Sequence, residues 1–281
     1  LKMTSILNEY FHLDGSLALF NGTNNVYTID IYKSLNKESY LKKREFSNIN
    51  NGIAFYSDKN KKIFFDVVQP NSDMISSNLS AGTLSVELSG FGEKILTNCG
   101  ASESFGKNPE YLRYSAAHST IILQNTNISE IKEGDPHIKF PQSVVFRKES
   151  NNDQEIFVGS HNGYINKFNK IIKRKLIISK HKNKLVGEDT IISNKNFKEK
   201  LIFHIRFHLA NEMAYNFTNN KKNIILKTKL NNIWLFNCDT ELFIEDSILV
   251  DNNYTKPIKQ IVIKGIVNNN KTIKEWSLEK I

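Results

Sequence analysis

Short runs of β-branched and aromatic residues recur about every ten to fifteen residues, and this rhythm most constrains what the chain can become. LALF at 17–20, VYTIDIY at 26–32, IFFDVV at 63–68, TLSVELS at 83–89 and KILTN at 94–98 read as strands. STIILQ at 119–124 and SVVFRKE at 143–149 continue the series, which ends in KQIVIKG and TIKEWSL. Asn, Gly, Lys and Asp separate the runs, as turn residues do. The pattern predicts an all-β fold: a large antiparallel β-sandwich (a supersandwich) of many short strands. Helix is scarce. Residues 1–13 (LKMTSILNEYFHL) read as a short helical lead-in, and 39–45 and 107–114 as further turns.

With 281 residues the chain can bury a sizeable core. No internal repeat, heptad or Pro-rich linker divides it. Residues 1–50 read as a lead-in with the first strands, and 51–281 as the sandwich domain. The chain opens on Leu1 rather than Met, which reads as a fragment or processed product. No apolar run approaches the roughly 20 residues of a membrane helix, so no membrane partner is expected. Lys and Arg total 38 against 29 acids, a formal charge of +9. A positive surface favours anionic partners, although Lys-rich composition alone explains the same number. The basic run 171–184 lacks the aromatic interleaving of nucleic-acid binders and reads as a solvated strand, so no nucleic acid is expected. Cys99 and Cys238 form no CxxC pair and read as two buried free thiols.

Polar groups concentrate between Asn98 and Asn125, where Asn98, Tyr111, Arg113, Tyr114 and His118 fall on a Gly- and Pro-marked loop feeding an apolar run. Loops of this kind aim side chains at ligands. His118 reads either as an acid–base or ligand imidazole, or as a histidine bonded to a backbone carbonyl. Arg113 offers a fork for carboxylate or sulfate, and the tyrosines a stacking surface. His161 and Tyr164 lie in GSHNGY, read as a turn between two strands. His204, Arg206 and His208 alternate on one strand face, where Arg206 repels a cation and a polar cluster is expected. No Walker loop, GxSxG elbow, HExxH or EF-hand loop is present, which removes those enzyme classes.

AGTLSVELSG, ILTNCG, LRYSAAHSTIIL, GSHNGY, GED and IRFHL, in this order, resemble the heparinase II/III-like proteins. The likeness spans about residues 15–280 and corresponds to that family's C-terminal β-sandwich. The resemblance implies a polysaccharide lyase of a bacterial branch. It would cleave uronate-containing acidic glycans by β-elimination, with an N-terminal α/α toroid outside this chain as its partner domain. It further implies that the toroid brings the key Tyr, so that the sandwich alone is inactive. The alternative is a non-catalytic module that binds an anionic glycan or buttresses the toroid.

Carried over residue by residue, His118 matches the histidine of the family's AHST-type motif, as the catalytic or substrate-orienting group. Asn78, Asn98, Tyr111, Arg113, His161 and Tyr164 are the expected substrate-facing residues. Two departures stand out. Asn78-Leu79-Ser80 replaces the family's HxH, and Asn98 stands where many members have Asp. The metal found beside the histidine in some members would keep one strong ligand here. Structural zinc takes about four and catalytic zinc about three, so neither metal nor other cofactor is expected.

Overall fold

Alternation decides which face each run buries. In Leu201–Leu209, Phe203, Ile205 and Phe207 point inward while Ile202, His204 and Arg206 point out. In Lys170–Ser179, Lys170, Ile172, Arg174, Leu176 and Ile178 are inward. Strands hydrophobic on one face must stack on another sheet, and a sandwich results. The computed structural model describes residues 8–25, 46–70, 79–102, 109–132, 139–194, 200–218, 220–251, 254–267 and 269–281.

The strands in chain order are β1 Phe46–Asn50, β2 Ile53–Ser57, β3 Lys61–Asp66, β4 Val86–Gly90, β5 Glu93–Thr97 and β6 Ile121–Leu123. Then follow β7 Val144–Ser150, β8 Gln154–Tyr164, β9 Lys170–Ser179, β10 Lys184–Ser193, β11 Leu201–Leu209 and β12 Ala214–Phe217. The last are β13 Asn223–Lys227, β14 Ile233–Cys238, β15 Leu242–Asp251, β16 Tyr254–Val267 and β17 Lys271–Lys280. One sheet runs β1-β2-β3-β4-β5-β11-β16-β15, with β6 paired to β11. The other runs β12-β13-β14-β17-β10-β9-β8-β7. All pairings are antiparallel, for example His208↔Thr97 and Asp189↔Arg174. Among the described residues, the single-turn helices α1 Glu110–Arg113 and α2 Ile165–Phe168 interrupt the strands.

The core lies between the sheets. Phe207 of β11 meets Trp276 of β17 edge-on at 4.5 Å, and Trp276 stacks on Phe236 of β14 at 5.9 Å. Such aromatic pairs add about 1 kcal/mol each beyond burial. Arg174 also reaches into this core, which corrects the reading of 171–184 as a solvated strand. Lys173 and Lys175 do share the outer, half-buried face, but Arg174 is fully buried. Its Nε and Nη2 donate to the two Asp189 carboxylate oxygens at 2.6 and 2.9 Å. Nη1 donates to the carbonyls of Leu84 at 2.9 Å and Ser119 at 2.8 Å, so one side chain ties the sheets together.

Other expectations also change. LALF at 17–20 forms no strand but an irregular strap, with a lone bridge at Phe11–Leu17. The strap lies on the outer face of the first sheet, where Ala18 and Phe20 pack on Ile53, Phe55 and Phe64. HNG at 161–163 is not a hairpin turn. β8 runs straight through it with a register shift between His161 and Tyr164, and the chain reverses afterwards at α2. Of the predicted 1–13 helix, residues 8–9 are helical and 1–7 lie outside the described residues, as do 26–32 and 39–45. The boundary drawn at residue 50 falls within the β1–β2 hairpin. His204, Arg206 and His208 do share a polar face, with Arg206 bonded to Glu245 at 2.8 Å. Both cysteines are free and buried.

Candidate functional site

Three loop segments converge at one end of the sandwich because buried backbone groups must find partners. Arg113 Nε donates to the Leu79 carbonyl at 2.9 Å, and the Ala81 N–H donates to the Arg113 carbonyl at 2.8 Å. Ser115 Oγ donates to the Ala81 carbonyl at 2.7 Å and accepts from the Ile128 N–H at 2.9 Å. The Ser115 N–H donates to Asn127 Oδ1 at 3.0 Å. Residues 162–164 close the group. A Cβ on Gly163 would stand 2.9 Å from the Ile128 carbonyl, and Tyr164 Oη donates to the Thr126 carbonyl at 2.8 Å.

His118 follows a 3-10 turn at Ser115–Ala117. Its Nδ1 lies 2.9 Å from the Tyr114 carbonyl, an acceptor only, so Nδ1 carries the proton and Nε2 the lone pair. The ring edge packs on Gly82, where a Cβ would sit 2.5 Å from Cδ2. Burial lowers its pKa to about 4, so the imidazole is neutral near pH 7. The carbonyl-bonded reading of His118 is the observed state.

Asn98 is buried behind it. Oδ1 accepts from the Ser119 N–H at 2.9 Å, Nδ2 donates to the Leu19 carbonyl at 3.1 Å, and its own N–H donates to Glu87 Oε1 at 2.7 Å. Glu87, fully buried, also accepts from His12 Nε2 at 2.8 Å and the Leu19 N–H at 3.1 Å. Burial alone would raise its pKa, but Lys94, 3.5 Å away, and the His12 bond hold it down to about 2. His12, Glu87 and Lys94 were not among the predicted residues. Glu87 and Ser89 mark one polar face of β4, and both bond to the strap.

The remaining predicted residues divide. Tyr111 is 52% exposed, and Arg113, Asn98, His118, His161 and Tyr164 are buried. Burial as the main cause, and Arg174 nearby, lower the His161 pKa to about 3. His161 Nδ1 accepts from the Gly163 N–H at 3.1 Å. With their polar atoms turned to backbone groups, Asn98 and Tyr164 present no open surface. Asn78 lies outside the described residues. The outer rim beside the converged loops holds Lys139, Lys167, Asn127, Gln142 and Asn162 around a cavity of 30 Å³. A larger groove of 440 Å³ lies at the β16–β17 hairpin. Lys264, Lys271 and Lys274 line it, with Lys264 paired to Glu245 at 2.8 Å and Lys274 to Asp239 at 3.4 Å.

Among the described residues no three His, Cys, Asp or Glu side chains converge as metal ligands. The residues at the implied metal position do not fit one. Asn98 spends both amide ends on the backbone, and Ser80 is a weak ligand whose N–H is bonded to Asn21 Oδ1 at 3.2 Å.

Against solved structures, the chain overlays heparan sulfate lyase HepC from Pedobacter heparinus with a TM-score of 0.75 at 13% identity, covering 99% of this chain and 46% of that one. A heparinase III overlays with a TM-score of 0.74 at 11% identity, covering 100% and 48%. The chain thus spans about half the length of these structures, and at such identity the likeness is one of fold. No curated protein sequence matches the chain. The family described as heparinase II/III-like, C-terminal, matches residues 44–277, most of the sequence. With that match and the sandwich in agreement, the chain belongs to the heparinase II/III-like family, in its C-terminal domain.

Proposed function

We propose that this chain is the β-sandwich half of a polysaccharide lyase that acts on uronate-containing acidic glycans by β-elimination, paired with an N-terminal helical toroid. The observation that carries the reading is the family match over 44–277 on a fold shared with heparan sulfate and heparin lyases. The +9 charge agrees with an anionic ligand, and Lys271 is the lysine of the β16–β17 hairpin groove that no ion pair offsets among the described residues.

Elimination needs three things: a neutralised sugar carboxylate, a base for the C5 proton and an acid for the leaving O4. In this reading His118 is a fixed acceptor through Nε2, and a weak base because burial lowers its pKa to about 4. Tyr111 offers an exposed ring to a sugar face. Arg113, with Nε on the Leu79 carbonyl, orders the backbone that follows Asn78. The proton-transfer groups come from the toroid, so the sandwich alone forms no unsaturated product.

Burial of Asn98, Arg113, His118, His161 and Tyr164 favours a second reading, a non-catalytic sandwich that holds glycan or supports its partner domain. Binding of heparan sulfate and of an unsulfated uronate glycan to the 281-residue chain, over a salt series, tests what both readings share. Salt-sensitive binding of the acidic glycans, with none to a neutral one, is expected. Equal binding to a neutral glycan, or none to any acidic one, would remove the anionic-glycan reading.

A further inference from the structure

We propose that this chain fixes the His118 strand with a buried amide, Asn98 seated on Glu87, where a metal ion would otherwise hold it. The inference rests on the donors at residue 98 and does not depend on the lyase reading. Asn98 is used at both ends, accepting from the Ser119 N–H and donating to the Leu19 carbonyl. An Asp carboxylate there would turn an oxygen toward the Leu19 carbonyl, and oxygen against oxygen is repulsive. To bind a cation, Asn98 Oδ1 would have to release the Ser119 N–H, leaving a buried donor unpaired. His118 keeps the Nε2 lone pair, its Nδ1 being on the Tyr114 carbonyl, so residue 98 is what stands against a metal. Ser119 is locked further, its Oγ donating to the Thr97 carbonyl at 2.7 Å and accepting from the His208 N–H at 3.0 Å.

The node has a second consequence. Glu87 accepts the Leu19 N–H while Asn98 donates to the Leu19 carbonyl, so one strap residue is held at both its backbone groups. His12 adds a bond from the same strap to Glu87, and Lys94 Nζ donates to the Leu17 carbonyl at 2.9 Å. Docking of the strap and placement of His118 therefore share Asn98 and Glu87. Asn98 is a positioning residue: it acts on His118 through the adjoining Ser119 amide.

The test uses the full 281-residue chain. Wild-type protein is incubated with zinc chloride, dialysed and assayed for bound metal, and its thermal midpoint is read with zinc and with EDTA. No stoichiometric zinc and an unchanged midpoint are expected. One zinc ion per chain, with a midpoint that falls in EDTA, overturns the proposal. This arm needs no variant and decides the metal question alone. In Asn98→Leu, which removes the acceptor of the Ser119 N–H and the donor to the Leu19 carbonyl, hydrogen exchange at Ser119 should quicken by about tenfold, the loss of one net hydrogen bond. Ring nitrogen signals of His118 should shift while those of exposed His181 stay. Unchanged exchange at Ser119, with unmoved His118 signals, also overturns it.

Discussion

Replacing Arg174 by Met should be among the most damaging single changes to this fold. The side chain has no exposure, and its partner Asp189 is 2% exposed. Arg174→Met leaves the Asp189 carboxylate with the Trp276 indole N–H, at 2.9 Å, as its remaining side-chain partner. It also strips a donor from the Leu84 and Ser119 carbonyls. Breaking a buried pair by removing one partner costs about 3–5 kcal/mol, because the other charge stays buried. An unpaired buried carbonyl adds about 1–3 kcal/mol. The expected loss is therefore about 5 kcal/mol, against a total stability of about 5–15 kcal/mol for a domain. Urea unfolding followed by tryptophan fluorescence measures it, since Trp276 sits on the pair. The double variant Arg174→Met/Asp189→Leu should recover part of the loss, because no buried charge is then stranded. If Arg174→Met costs under about 1 kcal/mol, or the double variant is as bad as the two singles summed, the buried pair does not carry the stability assigned to it.

Three further outcomes follow from the same geometry. Burial lowers the pKa values of His12, His118, His161 and His208 from 6.5 to about 4, 4, 3 and 3, so below pH 6.5 the unfolded chain takes up protons that the folded one refuses. Burial raises Asp66 from 3.8 to about 7, which works the other way and returns stability as pH falls below 7. At about 1.4 kcal/mol per proton per pH unit, the net loss from about pH 7 to pH 5 is about 5 kcal/mol, and urea midpoints that stay flat over that span would contradict it. Gly82→Ala should cost about 1–3 kcal/mol by overpacking and shift the His118 ring signals, because its Cβ would meet Cδ2 at 2.5 Å; unmoved signals would show that the ring is not held there. Lys264→Glu/Lys271→Glu should weaken heparan sulfate binding by at least about fivefold at low salt, and unchanged affinity would place the glycan elsewhere.

Most of the sandwich was legible because its signal is local. Alternation in LIFHIRFHL or KLIIS reports a face without knowledge of the partner sheet. Two kinds of information are not local. The outer face of β4 reads as solvent-facing until the strap bonds to Glu87 and Ser89, so the His12–Glu87–Lys94 node could not be read from β4 itself. Alternation puts Arg174 on the face opposite Lys173 and Lys175, but its burial depends on Asp189 arriving opposite it across β9 and β10. Within the site, the motif drew attention to His118 and Asn98 but not to the direction of their hydrogen bonds. Type and spacing do not tell an imidazole aimed at substrate from one bonded to Tyr114. The HNG segment misled for a related reason: Asn-Gly favours a turn, but here it serves a bulge that sets Gly163 against Ile128.

The central claim is that this sandwich works as one half of a lyase for acidic glycans. Its most direct measurement joins the chain to the helical domain proposed to precede it and supplies heparan sulfate and other uronate polysaccharides. Ultraviolet absorbance of the unsaturated sugar is then followed. The account predicts absorbance growth with at least one acidic glycan from the joined protein, and none from the 281-residue chain alone. No growth with any of them, while a control lyase responds, would contradict it and leave the scaffold reading in its place.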